Sequence, residues 1–262
     1  MERRIPRTRP SKHTRHSLLQ GLGWIYLITL IFIGWHLLSK AYPILIPSPT
    51  STYEAITQIG TDKILRAVTT TLTNSLLGYL LGLIGSVALV IGAYLNKHIE
   101  ALVNATNTFA QSVSVLVWAI IFIMIFGVTS RKPPILVVAA ATFPILLSSL
   151  IGAVRSLDEK FSLLAKMLGA SKLQELFYFI LPGTVSYLAA ASRAAIGIAL
   201  RISVVAEAFG ASGGVGYWLV YSYDIGFKEG VFAWASILII LMIAVDMLVL
   251  RPIERWTMKW RL

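Results

Sequence analysis

Long apolar runs constrain the fold of this chain more than any other feature of its sequence. Crossing a bilayer takes about 20 residues of apolar helix, and five runs reach or nearly reach that length. A sixth is apolar but contains Arg193 and Arg201. The six runs are Leu22–Leu38, Leu76–Leu95, Val113–Phe126, Ile135–Val154, Val185–Ala206 and Val231–Leu250. With 56% hydrophobic and only 13% charged residues, the composition excludes an ordinary soluble domain, in which charged residues make up about a quarter.

These runs predict an all-α integral membrane protein with about six transmembrane helices. We expect one transmembrane domain over residues 21–262, preceded by a basic tail over residues 1–20. The second run is expected to begin near Leu65. The third is expected to begin near Phe109, with Ser112 and Ser114 inside the helix.

Basic residues predict the orientation of the helices, because they favour the cytoplasmic side of a membrane. The N-terminal tail carries Arg3, Arg4, Arg7, Arg9, Lys12 and Arg15 against the single acid Glu2. We therefore expect the N-terminus to lie in the cytoplasm, and with six spans the C-terminus lies there too. The protein is expected in the inner (plasma) membrane of the cell. The net charge of +11 then follows from topology and contact with anionic lipid, so a nucleic-acid partner is not needed.

The segment from Leu163 to Pro182 is amphipathic and lies between two apolar runs. Apolar residues repeat at helical spacing on both sides of Gly169, which predicts two short helices joined at that glycine. Pro182 suits the first turn of the next helix. The segment is expected either to dock another protein or to lie on lipid headgroups.

The inventory of reactive residues argues against an enzyme. The chain has no cysteine, and its four histidines show no metal-ligand spacing, so we expect neither catalytic residues nor a metal site. Ser212-Gly213-Gly214 resembles a phosphate-binding loop, but the sequence has no Gly-Lys pair to complete one. Any ATP chemistry is therefore expected to belong to another chain.

Two motifs resemble those of ABC-importer permease subunits. The first is Ala165-Lys166-Met167-Leu168-Gly169-Ala170-Ser171 followed by Ile180-Leu181-Pro182, which resembles the family's cytoplasmic loop. The second comprises Arg193, Val205-Ala206-Glu207 and the stretch from Gly210 to Tyr217, which is similar to importers of nitrate, sulfonate, taurine and bicarbonate. The likeness covers about residues 50 to 260. It implies the fold of a type I ABC-importer permease.

The resemblance also implies partners. These are ATPase subunits that bind ATP and Mg²⁺, an external solute-binding protein and a second permease copy. The two permease copies are expected to form a homodimer. This chain itself is expected to hold no cofactor. Coupling to the ATPase is expected to run through the loop at residues 156–181, with candidate residues Ala165, Lys166, Gly169, Ala170, Ser171 and Lys172. The family's acidic residue and first alanine fall on Leu163 and Leu164 here, and Glu159, one turn earlier, is an alternative acid.

Polar residues inside the apolar runs are candidates for a transport pathway, because charges in a membrane are usually paired or face a cavity. For Arg193, Arg201 and Glu207 two interpretations remain open. Either the side chains are structural, extending to the membrane interface or forming an internal ion pair that orders the helices, or an arginine provides a positive lining for an oxyanion. Asn74 is a further candidate. The glycine-rich stretch within residues 207–220 predicts a re-entrant or external gate segment, with Gly213, Gly214 and Gly216 as candidates.

The sequence thus favours the permease subunit of an ATP-driven importer for a small anion. A permease for an uncharged or heterocyclic nutrient, such as a thiamine precursor or riboflavin, is the alternative. A membrane-embedded enzyme or scaffold is disfavoured, because the polar residues include no nucleophile with a neighbouring base.

Overall fold

The computed structural model describes residues 12–210 and 213–252, and within these ranges the chain is helical with no β-strand. The α-helices are α1 (Lys12–Ala41), α2 (Pro49–Ile59), α3 (Thr61–Leu95), α4 (Lys97–Ser112), α5 (Val115–Phe126), α6 (Lys132–Met167), α7 (Lys172–Glu175), α8 (Leu181–Phe209), α9 (Val215–Asp224) and α10 (Lys228–Val245). Single π-helical turns, Leu176–Ile180 and Asp246–Leu250, precede α8 and follow α10. The prediction of an all-α membrane protein is confirmed.

Four helices of the described part are long and apolar enough to cross a membrane: α3, α6, the continuous helix from α7 through α8, and α10 with its terminal π turn. The pair α4 and α5 qualifies as a fifth span if it is counted as one broken element. The apolar part of α1, Tyr26–Ala41, is shorter. The total of six spans therefore stays a prediction.

The third apolar run differs from its predicted form. Instead of one helix beginning near Phe109, α4 and α5 meet at an angle of 94°. Val113 is extended there, and the Ser114 side chain accepts the backbone N–H of Leu116 as the N-cap of α5. Ser114 thus starts a new helix, because its hydroxyl satisfies a backbone donor that a helix end leaves open.

The core of the domain is formed by α3, α6 and α8. Tyr79, Val138, Leu146 and Ala195 are buried together between these helices. The Tyr79 hydroxyl lies 2.7 Å from the Ser192 hydroxyl, which links α3 to α8. On α3, a Cβ added at Gly78 would lie within 2.6 Å of Val138, so the glycine permits the close approach of α6.

A second core fixes the short helix α9. Val215 and Trp234 are buried with Ala67, which joins α9 and α10 to the first turns of α3. The rings of Trp218 and Trp234 stack with their centroids 6.3 Å apart. This packing holds the N-terminus of α9 against the region where α3 faces the end of α8.

Candidate functional site

The coupling segment, residues 163–182, begins as the end of α6 rather than as a separate short helix. α6 stops at Met167, and the N–H of Ala170 donates to the Ala165 carbonyl over 2.9 Å. Gly169 has φ +68°, which favours glycine. This six-to-one bond across a left-handed glycine is a Schellman stop, so the predicted break at Gly169 is present while the first of the two predicted short helices is not.

A capping box starts the second half of the coupling segment. The Ser171 side chain accepts the Gln174 backbone N–H, and the Gln174 side chain accepts the Ser171 N–H over 2.8 Å. These reciprocal bonds satisfy two donors that a helix start leaves open. The π turn that follows ends with the Leu181 N–H donating to the Leu176 carbonyl, and Pro182 lies in the first turn of α8 as expected.

The outer surface of the coupling segment is apolar. Leu163, Leu164, Met167 and Leu168 are all exposed, Met167 by 83% and Leu168 by 67%. Leu173 continues this surface past the turn, with 53% of its surface exposed. We call these five residues the apolar patch.

The other predicted coupling residues differ in environment. Ala165 is buried at 1% exposure, beneath the apolar patch, while Ala170 is half-buried. The Lys172 ammonium lies 5.9 Å from the centroid of the Tyr94 ring. The side chains of Lys166 and of Glu159, the alternative acid, lie outside the described residues.

A polar cluster surrounds Glu207 at the opposite end of α8. The Glu207 side chain is fully buried, with 0% exposure. One carboxylate oxygen accepts from the Asn74 amide over 2.9 Å and from the Ser203 hydroxyl over 3.2 Å. The other accepts from the Thr71 hydroxyl over 2.8 Å and from the Gly216 backbone N–H over 3.2 Å. We call these five residues the Glu207 cluster.

The Glu207 cluster joins three elements of the fold. Thr71 and Asn74 come from α3, Ser203 and Glu207 from α8, and Gly216 from the first turn of α9. The Thr71 hydroxyl also accepts the Val215 N–H over 2.9 Å. Together with the Gly216 N–H, this is the second backbone donor in the first turn of α9 that is satisfied from outside the helix. Because four groups donate to its two oxygens, the buried carboxylate is fully hydrogen-bonded within the chain.

Glycines allow the backbone before α9 to reach the Glu207 cluster. Gly214 has φ +102°, and a Cβ there would collide with the Glu207 carboxyl group. A Cβ at Gly216 would collide with the Val204 carbonyl. Gly213 also has positive φ, +153°, whereas residues 211 and 212 of the predicted gate segment lie outside the described part of the chain.

The interpretation that Arg201 pairs with Glu207 is wrong. The partners of Glu207 are the four donors of its cluster, and Arg201 is exposed on α8 with no ion pair among the described residues. Arg193, eight residues before Arg201 on the same helix, is half-buried. The structure therefore brings Asn74, Glu207, Gly214 and Gly216 together and leaves both arginines apart from them.

Sequence reasoning missed Thr71 and Ser203, although the sequence carries a signal for each. Ser203 lies four residues before Glu207, the spacing of neighbours on one helix face. Thr71 lies three residues before Asn74 on the same face of α3 and is buried at 0% exposure. Within residues 12–210 and 213–252, no three His, Asp or Glu side chains come together as a metal site.

Comparison of the sequence with models of known protein families identifies the family of this chain. The model of the family described as "Binding-protein-dependent transport system inner membrane component" matches residues 78–256, which include the coupling segment and Glu207. The chain belongs to this family. It is a permease subunit of an ABC importer, and the family resemblance seen in its motifs is confirmed.

Individual relatives of the chain are named as permease proteins. The chain is 28% identical to the nitrate import permease protein NrtB of Synechococcus elongatus, over 57% of this chain and 53% of NrtB. It is 30% identical to the putative aliphatic sulfonates transport permease protein SsuC of Bacillus subtilis, over 71% of this chain and 66% of SsuC. Both matches span less than two thirds of the relatives' own length.

A match to the formylaminopyrimidine transport permease protein ThiX of Halalkalibacterium halodurans is longer. It is 24% identical over 92% of this chain and 97% of ThiX. Among solved structures, the crystal structure of an amino acid ABC transporter with histidines has a TM-score of 0.62 at 15% identity, covering 74% of this chain and 94% of that one. This structural match confirms the type I importer permease fold.

Proposed function

We propose that this permease carries a small anionic solute of the nitrate, sulfonate, taurine or bicarbonate class, and that Arg201 lines its pathway. The observation that carries this proposal is the contrast between Arg201 and Glu207. The Glu207 carboxylate takes its four hydrogen bonds from other groups, so Arg201 has no ion-pair partner among the described residues of this membrane helix. Two relatives named for nitrate and aliphatic sulfonates support an anion.

The position of Arg201 supports a pathway between two copies of the chain. A charged group in contact with lipid near the bilayer centre costs about 2.5–3.5 kcal/mol on insertion scales, so such groups face protein or water-filled cavities. Arg201 is exposed in the single chain. A second copy facing α8 would enclose Arg201 in an aqueous pathway, where its planar guanidinium offers paired donors to an oxyanion.

The coupling segment is proposed to dock the ATPase subunit, which holds ATP and Mg²⁺. Its five exposed apolar side chains stand on a turn fixed by the Schellman stop and the capping box. A rigid apolar surface on a loop transmits movement of a bound partner to α6 and α8, the helices it joins. This assignment places the coupling segment and both termini in the cytoplasm, with the solute-binding protein on the opposite side.

The Glu207 cluster is proposed to anchor the external gate. It ties the N-terminus of α9 to α3 and α8 through the Glu207 carboxylate. The gate segment thus keeps a fixed position relative to the helix that carries Arg201. This role is structural and does not require Glu207 to touch the solute.

Transport of a heterocyclic nutrient is the second candidate, favoured by the match that spans 97% of the formylaminopyrimidine permease. The two candidates differ in their need for Arg201, since a neutral solute gains no charge compensation from it.

The test is uptake by the complete transporter, with ATPase and solute-binding protein, in proteoliposomes. Arg201→Gln is expected to reduce anion uptake at least about tenfold, the loss of one charge-assisted hydrogen-bonded contact. Arg66→Gln is the matched control, because Arg66 is exposed and lies 4.0 Å from Asp62 at the start of α3. Full anion uptake by Arg201→Gln would contradict the pathway role of Arg201, and uptake of only neutral heterocycles by the unaltered protein would contradict the anion assignment.

A further inference from the structure

A cavity of about 340 Å³ lies behind the coupling segment, between α3, α4, α6 and α7. It is separate from both the apolar patch and the Glu207 cluster. On its membrane side the walls are apolar and include Val90, Ile151 and Val154. On its other side the walls are charged and include Lys97, Lys172 and Glu175.

This gradient places the cavity at the boundary between hydrocarbon and headgroups. α3 is apolar up to Leu95, and the next helix begins with Lys97. Val90 near the end of α3 and Lys97 at the start of α4 line the same cavity. A ligand filling it would contact apolar side chains at one end and ionised groups at the other.

The charged groups of the cavity are not all paired with each other. Arg155 and Glu100 form an ion pair over 3.4 Å. Glu175 is buried at 6% exposure, and one of its carboxylate oxygens is buried and accepts no hydrogen bond. It is the only charged atom of the three such buried, unbonded side-chain atoms in the described part of the chain. Lys97 has no ion pair among the same residues.

The Glu175 carboxylate receives no hydrogen bond from the described residues, and leaving a nearly buried carboxylate without a donor is costly, which points to a ligand that supplies one. Lys97 and Lys172 line the same cavity and offer positive charge, which suits a phosphate. A ligand that satisfies both features carries a phosphate and a group with N–H donors and positive charge.

We propose that this cavity binds the head group of an ethanolamine phospholipid. The primary ammonium donates to Glu175, the phosphate lies near Lys97 and Lys172, and the glycerol end contacts Val90 and Ile151. A choline head group has the same charges but no N–H, so it leaves the Glu175 oxygen without a donor. The cavity therefore discriminates between two lipids that differ only in methylation of the nitrogen.

The experiment purifies the complete transporter from membranes containing equal amounts of ethanolamine and choline phospholipids with matched acyl chains. Retained lipid is quantified by mass spectrometry. The unaltered protein is expected to retain ethanolamine lipid about tenfold over choline lipid, the effect of one hydrogen bond to a charged group. Glu175→Leu is expected to retain the two lipids equally and to remain folded, because it removes an acceptor that has no partner within the chain.

Two further arms complete the design. Asp246→Asn, which alters an acid paired with Arg251 over 3.2 Å and away from the cavity, is expected to keep the preference of the unaltered protein. Free phosphoethanolamine and the ethanolamine lipid are each added to the delipidated transporter in detergent, and the lipid is expected to raise its melting temperature more than the free head group does.

An unchanged lipid preference in Glu175→Leu would overturn the proposal. Stabilisation by free phosphoethanolamine equal to that by the lipid would assign the cavity to a soluble zwitterion and would overturn the lipid assignment. Neither result depends on the identity of the transported solute, so the anion proposal is tested separately.

Discussion

The Glu207 cluster and the coupling segment lie at opposite ends of α8, about 40 Å apart at 1.5 Å per residue. In the first, every hydrogen-bonding atom of a fully buried carboxylate is satisfied by the same chain. In the second, the backbone is fixed by its own turn and cap, but five large apolar side chains remain exposed.

This difference separates a region whose contacts are completed within one chain from a region that we propose a partner covers. A change in the Glu207 cluster is therefore expected to act on folding, and a change in the coupling segment on assembly and coupling. Arg201 lies on the same helix between them and belongs to neither region. The following predictions are ordered by the size of the expected effect.

Replacement of Glu207 by leucine is expected to have the largest effect. It leaves four buried donors without an acceptor, and each buried donor left unsatisfied costs about 1–3 kcal/mol. The variant should accumulate poorly in the membrane and melt at a lower temperature in detergent. Glu54→Leu, on the exposed face of α2, is the control and should change stability by less than about 0.5 kcal/mol. A normal melting temperature for Glu207→Leu would show that the cluster is not what holds α9.

Replacement of Gly169 by tryptophan is expected to abolish solute-stimulated ATP hydrolysis while the membrane domain stays folded. The position has φ +68° and no atoms within 4 Å of an added Cβ, so the large side chain projects into the space where the partner is proposed to dock. Gly127→Trp is a close control, because Gly127 has φ +82° and equally open surroundings at the end of α5. If both variants lose stimulated ATP hydrolysis to the same extent, backbone strain rather than docking explains the loss. Normal stimulation in Gly169→Trp would contradict docking at this position.

Ser171→Ala is expected to have the smallest effect. It removes the acceptor of the capping box, which costs about 1 kcal/mol of local helix stability. Faster amide hydrogen exchange is expected at Gln174, with stimulated hydrolysis reduced less than tenfold. A loss as complete as that expected of Gly169→Trp would mean that Ser171 itself contacts the partner.

The sequence predicted the features of this molecule that depend on local pattern. The length of the apolar runs predicted a helical membrane protein. A glycine between two amphipathic stretches predicted the break at Gly169. Pro182 was placed correctly because its missing N–H suits only a helix start or a modified turn.

The predictions that failed concern features that depend on contacts between residues far apart in the sequence. One of the two open interpretations paired Glu207 with Arg201 because both lie on one helix, whereas its partners Thr71 and Asn74 are 136 and 133 residues away on α3. The break at Ser114 was missed because a serine in an apolar run is compatible with either a helix interior or a cap. Only the packing of α5 against α6 and α8 decides between them.

Coverage of the apolar patch by the ATPase subunit on the cytoplasmic side can be measured directly by thiol labelling. The native chain has no cysteine, so Leu168→Cys provides a single thiol on a residue that is 67% exposed. In inside-out vesicles this thiol should react with a membrane-impermeant maleimide, and adding the ATPase subunit should block the reaction. Ile225→Cys, 57% exposed beyond α9, should react only in right-side-out cells, with or without the ATPase. Labelling of position 168 from outside, or labelling that the ATPase leaves unchanged, would contradict the account.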